Sequence, residues 1–68
     1  MRSAVERGVV ESFDAFVGLG VIRRTDGASI QFHCLAIADG TRTIPTGTAV
    51  VFGIQRRFGR DEASAIVH

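Results

Sequence analysis

Few side chains in this sequence are placed to do covalent chemistry. His33 and Cys34 are neighbours in the chain. On a strand, neighbours project to opposite faces, so they are not expected to form a nucleophile–base dyad. His68 stands at the terminus, where fraying is the default. With two His, one Cys and no spaced acidic partner, no metal site is expected. Gly18-Leu19-Gly20 is a lone G-x-G; a dinucleotide fingerprint needs a third glycine, a following helix and a βαβ unit. The seven carboxylates are scattered, with only Asp61 and Glu62 adjacent. The sequence therefore points away from an enzyme and implies no cofactor.

What remains is cations and rings. All eight basic residues are Arg. Arg suits bidentate phosphate contacts and stacking on bases, although a genome-wide codon bias would give the same count. The net charge is only +1, which is not the footprint of a strongly basic nucleic-acid binder. The arginines do cluster, as Arg23-Arg24 and as Arg56-Arg57 with Arg60. The five Phe (13, 16, 32, 52 and 58) supply all the aromatic mass.

These groups must be held by a small scaffold. Sixty-eight residues make one domain, spanning residues 1–68. A 46% hydrophobic and 22% charged composition is globular rather than disordered. The lone Cys34 allows no intrachain disulfide; it reads as a small buried or half-buried hydrophobe, and the cytoplasm is the default compartment. The opening residues lack an apolar signal-peptide core. The longest apolar run, Ala15 to Ile22, is far short of the ~18–20 residues of a membrane helix.

Eight glycines cut the chain into short β-rich runs. These are Val9–Phe13, Leu19–Arg24, Ser29–Cys34, Thr48–Gln55 and Ala63–Val67. Asp26-Gly27 signals a tight hairpin. Residues 56–60 suggest a longer hairpin connection. Alternation puts Ile30 and Phe32 on one face, with Gln31 and His33 on the other. Val50, Phe52 and Ile54 likewise share a face. Leu35 to Ala38 can make one helical turn, and Ile44 is the apolar anchor of the loop that follows. Five short antiparallel strands can close into a barrel, removing exposed edges. Gly18 and Gly20 would allow a strand to bend sharply.

This pattern resembles a cold-shock domain. The carrying residues are Gly8-Val9-Val10, Phe13-Asp14, Gly18-Leu19-Gly20-Val21-Ile22 and Ile30-Gln31-Phe32-His33. Ala36-Ile37, the run Gly47, Val50, Phe52 and Ile54, and the closing Ala63 to Val67 continue it. The resemblance spans about residues 7 to 67. It implies an all-β, OB-like five-stranded barrel with one short helical turn after the third strand, in a family that binds single-stranded DNA and RNA.

Departures from the family pattern fall on the binding face. Lys-Trp-Phe-Asn is replaced by Glu11-Ser12-Phe13-Asp14, and Lys-Gly-Phe-Gly-Phe-Ile by Val17 to Ile22. Val-Phe-Val-His-Phe becomes Ile30 to Cys34. Ser12, Leu19, Val21, Gln31 and Cys34 stand where the family carries rings. Stacking is worth ~1–3 kcal/mol per base, so weak binding with little sequence preference is expected. The site residues implied are Phe13 and His33 for stacking, Leu19, Val21 and Gln31 beside them, and Arg23, Arg56 and Arg57 on phosphates. Phe16 and Phe58 fall in predicted loops; each is expected to cap a barrel end, the alternative being a ring offered to a base. The alternative is a barrel that contacts protein, or a second copy of itself, through an apolar Leu19/Val21 face extended by Cys34 and Val51.

Overall fold

In the computed structural model, which describes residues 5–68 apart from the Arg57 side chain, five strands close into a barrel. They are β1 (Glu6–Asp14), β2 (Leu19–Arg24), β3 (Ser29–His33), β4 (Ala49–Arg57) and β5 (Arg60–Val67). A 3₁₀ turn, Cys34–Ala36, follows β3. The strand order is β1-β2-β3-β5-β4, and β1 pairs with β4 to complete the circle.

One pairing corrects the expectation of a wholly antiparallel barrel: β3 and β5 run parallel, registered at Gln31 and Glu62. The cause is the connection. β3 leaves through the 3₁₀ turn and a long crossover loop rather than a hairpin, and only a crossover brings a strand back in the same direction. A second stitch lies further along this seam. Ile37 bridges Ile66, and the Ala38 N–H donates to the Ile66 carbonyl at 2.8 Å.

Alternation fills the barrel. Val10, Ile22, Ile30, Phe32, Val50 and Phe52 are all buried, with Ile54 packed half-buried against them. Ile37, Ile44, Ala63 and Ile66 complete the core. Each fully buried branched or aromatic side chain contributes about 1.5–3 kcal/mol. Ile44 anchors the crossover loop as its isolation in a polar stretch suggests.

The hairpins differ from expectation in detail. The β2–β3 turn is a three-residue loop: the Gly27 N–H donates to the Arg24 carbonyl, the Arg24 N–H to the Ala28 carbonyl, and Gly27 has φ +92°. The β4–β5 connection is shorter than expected. Arg57 pairs directly with Arg60, leaving a two-residue loop of Phe58 and Gly59.

A bulge in β1 sets the phase of the functional face. Val10 pairs with Ile22 and Ser12 with Val21, so Glu11 is the extra residue. Strict alternation from buried Val10 would turn Phe13 outward. The bulge instead turns Ser12 out and Phe13 towards the core, its ring stacked on Phe32 with centroids 5.7 Å apart and planes 12° from parallel. Gly20, paired with both Phe13 and Phe32, leaves room for these rings; a Cβ there would overlap Phe32 and crowd Phe13.

Gly20→Ala should therefore destabilise the barrel by about 1–3 kcal/mol, the usual cost of overpacking. Urea or thermal unfolding checks this; an unchanged midpoint would show that the rings are free to yield.

Candidate functional site

The outward residues of β1, β2 and β3 form cross-strand rows. One row is Asp14, Leu19 and His33; the next is Ser12, Val21 and Gln31, continued by Glu62 on β5. A third holds Val9, Arg23 and Ser29. The pleat thus brings Leu19, Val21, Gln31 and His33 onto one surface, as the alternation anticipates. Leu19, Gln31 and His33 are exposed, and Val21 is half-buried.

Phe13 is placed differently. It is half-buried, with one side committed to Phe32. It still helps line a hollow of about 220 Å³ with Ser12, Leu19, Val21 and Gln31. Sequence reading missed this inward turn because a bulge leaves no simple signal in the pattern of residue types.

Glu11, the bulged residue, sits over the third row. Its carboxylate accepts from Arg23 Nη2 at 2.7 Å and from the Ser29 hydroxyl at 3.3 Å. The Arg23 hydrogen bond holds the Glu11 carboxyl below its ordinary pKa; desolvation opposes it, and the Arg23 charge and the Ser29 hydroxyl add smaller lowering effects. Arg23 is raised in turn by the same carboxylate. Of the adjacent pair, Arg23 faces solvent while Arg24 is half-buried beside Glu6 at 3.0 Å and Asp26 at 3.6 Å.

The last hairpin carries further cations. Arg56 is exposed, 3.4 Å from Asp61. Arg60 Nη1 donates to Gln31 Oε1 at 3.1 Å, so this arginine reaches the central row. The Arg57 side chain lies outside the described residues.

Three expectations are corrected. Phe16 and Phe58 do not cap the barrel; they are 100% and 95% exposed. Cys34 does not oppose His33 on a strand. It opens the 3₁₀ turn, so alternation no longer applies, and its Sγ lies 3.8 Å from His33 Nδ1. That nitrogen accepts from the Leu35 N–H at 3.1 Å, which fixes the imidazole as the cap of the turn and leaves Nε2 to donate in the neutral form. Val51 does not extend the Leu19 patch, because its strand partners are Arg7 and Val67.

Leu35 was not anticipated as a surface group, yet it is 71% exposed. In Leu35-Ala36-Ile37 a core role looks natural for both large residues, but the short turn buries Ile37 and turns Leu35 out. Among the described residues no group of three His, Cys, Asp or Glu is placed to hold a metal, and no helix is long and apolar enough to cross a membrane.

The 'Cold-shock' DNA-binding domain family model matches residues 6–68, and the chain belongs to that family. A comparison with curated proteins finds no match. Membership makes the barrel a nucleic-acid-binding module, with single-stranded nucleic acid as the family's ligand class.

Glu11 should titrate below an ordinary glutamate, and NMR of Arg23→Gln should return its midpoint upward. Because the folded-state pKa is lowered, whatever stability the pair gives is present at neutral pH and lost as pH falls through that lowered value. Glu11→Gln should also free Arg23 for phosphate. Oligonucleotide affinity should then rise, and the slope of log K against log salt should steepen by up to about 0.7 for one added contact to a single strand. An unaltered slope would mean that Arg23 stays off the backbone.

Proposed function

We propose that this cold-shock domain binds single-stranded RNA or DNA weakly and with little sequence preference, as a non-catalytic cytoplasmic module. The observation that carries this reading is the composition of the outer rows. Leu19, Val21, Gln31 and His33 share the surface on which the family's stacking rings are expected, and only His33 offers an aromatic face. Aliphatic contact is sequence-tolerant and weaker than ring stacking at ~1–3 kcal/mol per base. Arg23 is already paired with Glu11, which lowers its gain on meeting phosphate. Gln31 and the imidazole of His33 supply hydrogen-bonding groups for base edges or sugars.

A second reading is favoured by one observation. Val17, Leu19 and Leu35 are 58%, 48% and 71% exposed, a large apolar offering for so small a barrel. Contiguous apolar surface tends to mark an interface, so a protein partner or a second copy could take the Leu19/Val21 face.

Titration with a labelled single-stranded oligonucleotide of about 12 nucleotides, within the site sizes of such barrels, separates the two. Binding in the micromolar range at low salt, falling steeply with added salt and varying little with sequence, is the expected result. Absence of binding even at low salt would overturn the first reading. Sedimentation of the wild type and Leu19→Asp addresses the second. A concentration-dependent dimer abolished by that substitution would favour self-association, and a monomer at all concentrations would oppose it.

A further inference from the structure

We propose that the tip of the β4–β5 hairpin is a base-stacking finger, with Phe58 presenting its ring to a nucleotide that lies in the groove between the hairpin and the 3₁₀ turn. The inference rests on the nucleic-acid reading above and extends its site beyond the outer rows of β1–β3.

Phe58 is anomalous in two independent ways. Its backbone has φ +53°, and Gly59 follows at +78°. Two positive φ values in a two-residue hairpin loop are the mark of a type I′ turn, whose first position favours Asn, Asp or Gly. A bulky aromatic residue there is a backbone outlier. The ring gains nothing for the fold in return, being 95% exposed and outside the core cluster. Phe16 is as exposed, but its backbone is not in the left-handed region and it lines neither hollow. Strain together with exposure at one residue is the pattern of a position kept for contact rather than for stability.

The surroundings fit a nucleotide. A groove of about 760 Å³ runs beside Phe58, with Leu35 on the 3₁₀ turn also lining it. It shares Leu19, Gln31 and His33 with the outer rows, so the two surfaces form one continuous track. Gln55 and Ser64 add amide and hydroxyl groups suited to base edges. Positive charge lies at the junction: Arg60 bridges from the hairpin to Gln31, while Arg56 pairs with Asp61 on the other face of the hairpin. Glu62 is the acidic group of the lining and is half-buried; Asp61 is engaged with Arg56. Arg60 is the cation that this track offers to a phosphate.

The decisive variant is Phe58→Asn, which gives the turn its preferred residue. Tm should rise by about 2–6 °C as the strain is relieved, while affinity for a fluorescein-labelled single-stranded oligonucleotide should fall about fivefold or more, the loss of one stacked base. A raised Tm with unchanged affinity overturns the finger while leaving the nucleic-acid reading intact. A wild type that fails to bind at low salt overturns both. Phe58→Trp supplies a second readout, because the chain has no tryptophan of its own. Its fluorescence should be quenched on adding the oligonucleotide, with affinity kept or improved. A Val67→Trp reporter on the far outer face should not respond. Quenching at neither position, in a variant that still binds, would also overturn the proposal.

Discussion

The arrangement of this barrel turns on how three strands share the space around one ring. Phe32 fills the interior beneath β2, and it can do so only because Gly20 has no side chain. Phe13 then stacks on the same ring from β1, which locks the bulge at Glu11 into place. Interiors pack at crystal-like density, so this contact fixes register as well as contributing energy. A one-residue slip would send every outward side chain inward. The functional rows of β1, β2 and β3 are therefore consequences of how one aromatic pair is accommodated.

Electrostatics on the outside follows a different logic. Arg23 meets Glu11, Arg24 meets Glu6 and Asp26, and Arg56 meets Asp61. Solvent-exposed pairs such as Arg23–Glu11 and Arg56–Asp61 are screened by water and salt and add little to stability. A phosphate must displace a carboxylate to reach these cations, so the pairs hold them in position while lowering what each gains on meeting a phosphate. The near-neutral net charge conceals this arrangement, since Arg23, Arg24 and Arg56 are each matched locally by an acid. Salt sensitivity reports on such a surface better than net charge does.

Much of the fold was legible in the residue pattern because a strand's faces are set by a period of two. Ile30 and Phe32, and Val50 and Phe52, declare the interior by spacing alone, and Ile44 does so by its isolation. What alternation cannot express is an extra residue. The bulge at Glu11 turned Phe13 inward, and the start of the 3₁₀ turn at Cys34 brought its sulfur near His33. The parallel pairing of β3 with β5 was hidden for another reason: it depends on where a long loop returns, not on any local signal. The candidate surface was partly legible. Leu19, Val21, Gln31 and His33 came together as their spacing requires. A loop position for Phe58, with its ring open to a base as the alternative to a cap, was legible; the two-residue turn and its positive φ were not, because an aromatic residue next to Gly59 gives no sign of them.

The seam between β3 and β5 has a final consequence. A closed barrel is as resistant to opening as its sparsest join, and here that join is the Gln31–Glu62 pair with the Ile37–Ile66 bridge beyond it. Local opening concentrates where backbone laddering is thin, so amide hydrogen exchange should be faster along this line than along the β1–β2 and β4–β5 ladders. The groove follows the same line. A bound strand touching Leu35 on one bank and Phe58 on the other would act as a missing rung, damping the breathing of the barrel and coupling occupancy to cohesion by mass action.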